Sequence, residues 1–161
     1  MIRFGLVVAA LVVAFDQATK WFVVHHVMDP PTIIAVTGFI DLVMVWNRGV
    51  SFGFFGSDSS AAPLILSALA AAIVVVLFVW MRRVHDRFLT LALGLVIGGA
   101  IGNIIDRLQW GAVADFISVT LSFIPLALFN PWPAFNVADA AISIGVVLIL
   151  VDGLFRQQPK R

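Results

Sequence analysis

Four mostly apolar stretches divide this chain, and each approaches the length needed to cross a bilayer. They run over residues 4–24, 61–81, 88–105 and 135–155. A hydrocarbon core of about 30 Å takes roughly 20 helical residues to span. The pattern therefore predicts an all-α membrane protein: a four-transmembrane-helix bundle forming a single integral membrane domain over residues 1–161. The third stretch is the shortest. It carries Gly94, Gly98 and Gly102 at steps of four, a small-residue face on which another helix can lie close. That places it at the centre of the bundle.

Two connecting segments follow a different rule. In residues 33–55, β-branched and aromatic residues are punctuated by Gly38, Gly49 and Gly53, which reads as short strands and turns. So many apolar groups predict that the segment lies on the membrane surface. Residues 108–134 continue in the same manner. Trp110 and Trp132 suit the membrane interface, while Pro125, Pro131 and Pro133 limit helix there.

Composition agrees with the hydropathy pattern. The 161 residues are 61% hydrophobic and 12% charged, against about 25% charged in a soluble domain. A net charge of +1 gives no field to attract nucleic acid. There is no cysteine, hence no thiol nucleophile, disulfide or cysteine-type zinc site. His25, His26 and His85 belong to no metal-binding spacing. All nine acids are aspartates, so any carboxylate chemistry is aspartate chemistry.

Lysines and arginines orient the bundle. Arg3, Arg82, Arg83, Arg87, Arg156, Lys160 and Arg161 lie on one side, and Lys20, Arg48 and Arg107 on the other. The positive-inside rule puts both termini in the cytoplasm. The amino-terminal stretch imitates a secretory signal, but it runs through Asp16 and Lys20 to Val24. That exceeds an apolar region of about 7–15 residues, so it is expected to stay attached as the first span.

The polar residues near span ends then gather toward the outer face. Asp16 and Lys20 are spaced i,i+4 with the acid first, the favourable order for an ion pair. They read either as an interfacial salt bridge with Lys20 reaching outward or as a pair lining a site. Asn103, Asp106 and Arg107 share the outer end of span three, where Asn103 and Asp106 offer Arg107 partners; an interfacial cap is the plainer reading. Asn47 and Arg48 open a turn at Gly49. Asn136 suits an N-cap for span four, and Asp139 lies past the cap position, where an acid also complements the helix dipole. Asp115 has no local cation nearer than Arg107. Carboxylates at membrane depth are rare away from water, counter-charge or chemistry. Two of them brought together, Asp115 and Asp139, are the minimal equipment of an aspartic protease. Asp29, Asp41, Asp58, Asp86 and Asp152 have local explanations, and His25 and His26 read as interface residues.

These residues fall into five motifs. They are Asp16-Gln17-Ala18-Thr19-Lys20, Asn47-Arg48-Gly49-Val50-Ser51-Phe52-Gly53, Gly98 through Arg107, Val113-Ala114-Asp115-Phe116, and Phe135-Asn136-Val137-Ala138-Asp139. Together and in this order, over essentially the whole chain, they resemble the bacterial lipoprotein signal peptidases (signal peptidase II). Departures are small: Val50 and Ala114 stand where alanine and valine are common. The resemblance implies a catalytic dyad of Asp115 and Asp139, with Asp16, Lys20, Asn47, Asn103, Arg107 and Asn136 lining or bracing the site. It implies a small extracytoplasmic β cradle from residues 33–55 and a location in the bacterial inner membrane. The implied substrates are prolipoproteins, cut just before a diacylglyceryl-modified cysteine, and the implied inhibitor is the cyclic peptide globomycin. Neither metal nor organic cofactor is expected, membrane lipid is the surrounding partner, and a monomer suffices. Two other readings remain: a small ion or proton transporter, which needs polar groups along the whole membrane depth, and a non-enzymatic assembly factor.

Overall fold

The computed structural model describes residues 1–49, 61–120 and 131–156. Expectations on Val50 to Phe55, Asp58, Pro125, Lys160 and Arg161 lie outside the described residues. Helix α1 covers Ile2–Phe22 and runs into one wider π turn, Val23–Val27. Strands β1 (Ile34–Ala35) and β2 (Ile40–Asn47) follow, then α2 (Ala62–Arg83), α3 (Arg87–Trp110), β3 (Val113–Val119), β4 (Trp132–Phe135) and α4 (Val137–Arg156). Among the described residues, four helices are long and apolar enough to cross a membrane. The strands form one antiparallel sheet in the order β1-β2-β3-β4.

Helix α3 is the axis of the bundle, as its glycines predict. In its most apolar 18-residue window 56% of residues are buried, against 22% or fewer for the other three helices. Its glycine face lies against α1: a methyl group at Gly98 would sit 2.7 Å from the Ala9 carbonyl oxygen and 2.8 Å from Val12 Cβ. A methyl at Gly94 would meet the Gly5 carbonyl oxygen at 2.8 Å. On another side, Gly99 faces Ala138 and Ile142 of α4, and Gly145 of α4 faces Ala92. Helix backbones thus approach where side chains are smallest, the packing that stands in for a hydrophobic drive inside lipid. Met81 of α2, fully buried, packs with Ala9, Leu93 and Ile97. Large apolar side chains such as Leu11, Leu154 and Phe155 point outward and are exposed.

One boundary differs from expectation. The third apolar stretch was the shortest in sequence, yet α3, with 24 residues, is the longest α-helical element among the described residues. Asn103, Asp106 and Arg107 lower the hydropathy near its end without ending the helix, because their polar groups find partners in the bundle. The helix stops instead at Gly111, whose φ of +69° is the left-handed cap that glycine adopts without penalty. At its other end the Asp86 carboxylate accepts the Leu89 N–H at 2.9 Å, an N-cap.

The sheet sits at the end of the bundle where α1 and α3 finish and α4 begins. Phe116 of β3 packs with Val23 and Met28, which joins the sheet to the π turn. Trp46 of β2 meets Trp110 edge-on at 5.4 Å. His25 and His26 lie against Trp21, with ring centroids 5.3 and 5.0 Å away. Gly98→Ala should test the central packing: its methyl presses on α1 backbone, and overpacking of this kind costs about 1–3 kcal/mol. Thermal unfolding in detergent should show a lowered Tm for this variant, and an unchanged Tm would mean α1 and α3 are not so close.

Candidate active site

Three fully buried charges hold the sheet-side end of the bundle together. Lys20 Nζ lies 2.9 Å from Asp16 Oδ2 and 2.8 Å from Asp106 Oδ2, and all three residues have no exposed surface. The i,i+4 pair is present, but Lys20 turns inward and does not reach toward the interface. Gln17 Nε2 donates to Asp106 Oδ1 at 2.8 Å and to Asp16 Oδ2 at 3.2 Å, so it bridges the same two acids. Space for Asp16 exists because residue 102 is glycine: a Cβ there would stand 2.5 Å from Oδ2.

The start of α4 is built around Asn136 and Asp139. Asn136 Oδ1 accepts the Asp139 N–H at 3.0 Å, and Asp139 Oδ2 accepts the Asn136 N–H at 3.2 Å. This is a reciprocal capping box, with aspartate at the third helical position. The Ala138 N–H donates across the bundle to Asp16 Oδ1 at 2.9 Å. Donors that a helix start leaves open are thereby answered. Asp139 therefore plays the first-turn role that its position suggested, yet its other oxygen is directed elsewhere. Oδ1 accepts Asn103 Nδ2 at 2.8 Å. Asn103 Oδ1 in turn accepts Lys20 Nζ at 3.1 Å and Asn136 Nδ2 at 3.4 Å.

Asp115 approaches the same cluster from β3. The residue is 1% exposed, so little of it is open to water. Asn136 Nδ2 donates to Oδ1 at 2.7 Å, and Asn47 Nδ2, from β2, donates to Oδ2 at 2.9 Å. The Asn47 amide is itself oriented, since its Oδ1 accepts the Gly49 N–H at 2.8 Å. Burial pushes the Asp115 carboxyl up to about 6, and the nearby Asp139 charge adds to the rise. The Asn47 and Asn136 amides and Lys20 pull the other way without cancelling it.

Arg107 stands beside the cluster. Nη1 donates to the Asn103 carbonyl at 3.4 Å, and the guanidinium feels the charges of Asp139, Asp106 and Asp115. Its Nε is buried without a hydrogen-bond partner. Asp106 does not serve Arg107, as the local spacing suggested; it faces Lys20, Gln17 and the Ala114 N–H instead. The fold thus gathers Asp16, Lys20, Asn47, Asn103, Arg107, Asp115, Asn136 and Asp139 at one end of the bundle. It also adds Asp106, expected only as a partner of Arg107, and Gln17, neither of which the sequence placed among the site residues. Their signal was faint: Gln17 and Asp106 are 89 residues apart, and only the α1–α3 contact joins them. Among the described residues no three acidic or histidine side chains converge as a metal set.

Comparison with known proteins shows the family of the chain. The family described as Signal peptidase (SPase) II matches residues 8–155. The lipoprotein signal peptidase of Rhodopseudomonas palustris strain TIE-1 is 42% identical over 156 residues, covering 95% of this chain and 93% of its own. That of Nitrobacter hamburgensis is 44% identical over 157 residues, covering 96% and 94%. A bacterial membrane enzyme whose structure was determined by the in meso method superposes with a TM-score of 0.73 at 28% identity. That match covers 98% of this chain and 91% of the other. Four apolar helices, an antiparallel sheet at one end and an aspartate-rich polar cluster beneath it thus accompany a family match along nearly the whole sequence. The chain belongs to the signal peptidase II family of membrane-embedded aspartic proteases.

Proposed function

We propose that Asp115 and Asp139 are the catalytic dyad of an endopeptidase that removes signal peptides from prolipoproteins, cutting before the diacylglyceryl-modified cysteine. The observation that carries this reading is the shared amide bridge. The Asn136 side chain donates to Asp115 Oδ1 and its backbone N–H donates to Asp139 Oδ2, so two carboxyls from different elements converge on one residue. Two carboxyls whose charges act on each other hold one proton between them more cheaply than none.

Asp115 is the member that carries the proton. It is the more deeply buried of the two, and a substrate covering the site removes what water remains and raises its affinity for the proton further. Ionised Asp139 takes a proton from a water molecule as that water attacks the scissile carbonyl. Asp115 gives its proton to the developing oxyanion. As the tetrahedral species collapses, the C–N bond breaks, the leaving amine takes the proton gained by Asp139, and one hydroxyl of the gem-diol returns a proton to Asp115, restoring the starting state. Asn103 and the Asn136 backbone hold Asp139 in place during this exchange. The unpartnered Nε of Arg107 offers a donor to a substrate carbonyl.

Placement in the membrane follows from charge and substrate. With seven lysines and arginines on the side of the termini, the site faces the extracytoplasmic leaflet, where acyl chains on the modified cysteine hold the cleavage point. The sheet lies over the site as a cradle, the whole chain acts as one domain, and a monomer carries every group needed. A globomycin-type cyclic peptide would compete for the same position. A transporter is disfavoured because the described hydrogen-bonded network occupies one end of the bundle, whereas a relay needs polar groups through the full depth.

Asp115→Asn and Asp139→Asn should each lower kcat by at least about 10³-fold, within the range for losing a general acid or base. Processing of a diacylglyceryl-modified prolipoprotein in detergent, followed by gel mobility, reads this; an active variant with normal folding removes that residue from the dyad. The titration of Asp115 supplies a test independent of turnover. In Asp139→Asn the repelling charge is gone, so the Asp115 midpoint should fall below about 6 while burial keeps it above 3.8. Carbon-13 NMR of labelled aspartate measures it, and a midpoint that stays or rises contradicts the coupling.

A further inference from the structure

Each proposed dyad aspartate is preceded by a residue whose backbone N–H is gripped by a different buried carboxylate. Before Asp139, the Ala138 N–H donates to Asp16 Oδ1 at 2.9 Å. Before Asp115, the Ala114 N–H donates to Asp106 Oδ2 at 3.1 Å. The two gripping acids are not independent. Lys20 Nζ contacts both, and Gln17 Nε2 donates to both. Lys20 and Gln17 lie within one turn of α1, while the four gripped and gripping residues come from α1, α3, β3 and α4.

We infer that Asp106 is a positioning residue for Asp115, the counterpart of Asp16 for Asp139, and that Lys20 with Gln17 couples the two grips so that α1 sets the spacing of the dyad. This deepens the reading of the site given above and rests on it. Two acids that pass one proton and activate one water must be held within a few tenths of an ångström, and small misplacement is costly to rate. The ladder that holds β3 is irregular on one side of this point: its pairing with β2 slips register between Leu42 and Val45, beside the Val45–Asp115 pair. A carboxylate anchored in α3 supplies the missing restraint. Stability alone does not account for it. Replacing a whole buried ionic cluster with apolar side chains of similar volume is often neutral or stabilising, though removing one partner alone is costly, so what Asp106 adds beyond its charge is a directed acceptor one residue from Asp115.

The test compares Asp106→Asn with Asp106→Leu in the full-length protein in lipid nanodiscs. Asparagine keeps an oxygen for the Ala114 N–H, and leucine fills similar space without one. With folded protein counted by size-exclusion chromatography, Asp106→Leu should lose about 100-fold in kcat with KM within about threefold, a loss of the size expected for misplaced groups. Asp106→Asn should recover at least tenfold of that loss. The Asp115 carboxyl, observed by carbon-13 NMR, should titrate lower in the leucine variant and less so in the asparagine variant. Equal kcat in the two variants, whether both near wild type or both inactive, overturns the inference. If Asp106→Leu does not fold, amide exchange decides in wild type and Asp106→Asn: an Ala114 amide as protected as the middle of α3 supports the grip, and one exchanging freely overturns it. Failure of the dyad reading is recognisable separately, because it requires an active Asp115→Asn or Asp139→Asn enzyme. Failure of this inference leaves those variants inactive.

Discussion

An ammonium group with no exposed surface lies between two carboxylates in a protein whose helices are surrounded by apolar side chains. Lys20 is tolerable there only because Asp16 and Asp106 stand at 2.9 and 2.8 Å and Asn103 accepts its remaining proton at 3.1 Å. A buried charge that loses its partner costs about 3–5 kcal/mol, so α1 and α3 are not free to slide or rotate against one another. The same requirement explains Gly102, since a side chain there would strike the Asp16 carboxylate. Close helix packing and charge burial are one constraint seen from two sides: the glycine face lets the backbones meet, and the ions fix the height at which they do.

The geometry of the proposed dyad is built outward from that fixed height. Asp16 reaches the start of α4, where Asn136 and Asp139 cap each other, and Asn103 joins Lys20 to Asp139. The sheet brings Asp115 down onto Asn136 and supplies Asn47 from the neighbouring strand. Four carboxyls, Asp16, Asp106, Asp115 and Asp139, share the region with two cations, Lys20 and Arg107. Full ionisation would leave two negative charges uncompensated in a poorly hydrated place. A proton held between the proposed dyad members relieves part of that excess, which is the electrostatic reason for expecting one there. In the proposed mechanism the same imbalance supplies the acid that amide hydrolysis requires.

Much of this was legible in the sequence, for reasons that differ by element. Apolar runs of bilayer length announced the four helices, and glycines at steps of four announced that the third is central. Alternating β-branched and aromatic residues announced the sheet, though not its four-strand order. The Asp16–Lys20 pair was visible because its spacing is local. What stayed hidden were partnerships across the fold. Asp106 read as a companion of Arg107, its sequence neighbour, whereas its partners are Lys20, Gln17 and Ala114. Hydropathy also truncated α3, because it scores Asn103, Asp106 and Arg107 as polar without knowing that the bundle satisfies them. Asp139 carried two readings, a helix-dipole acid and a dyad member. The structure gives one oxygen to the cap and the other to Asn103.

The proposed chemistry depends on one separation. Crystallography of the protein with a non-cleavable lipopeptide bound would measure the distance between the Asp115 and Asp139 carboxyls and reveal what lies between them. Nearest oxygens both within about 3 Å of a single water or oxyanion, as hydrogen-bond geometry requires, are predicted. Carboxyls too far apart for one water to bridge, with substrate in place, would contradict a shared-proton dyad.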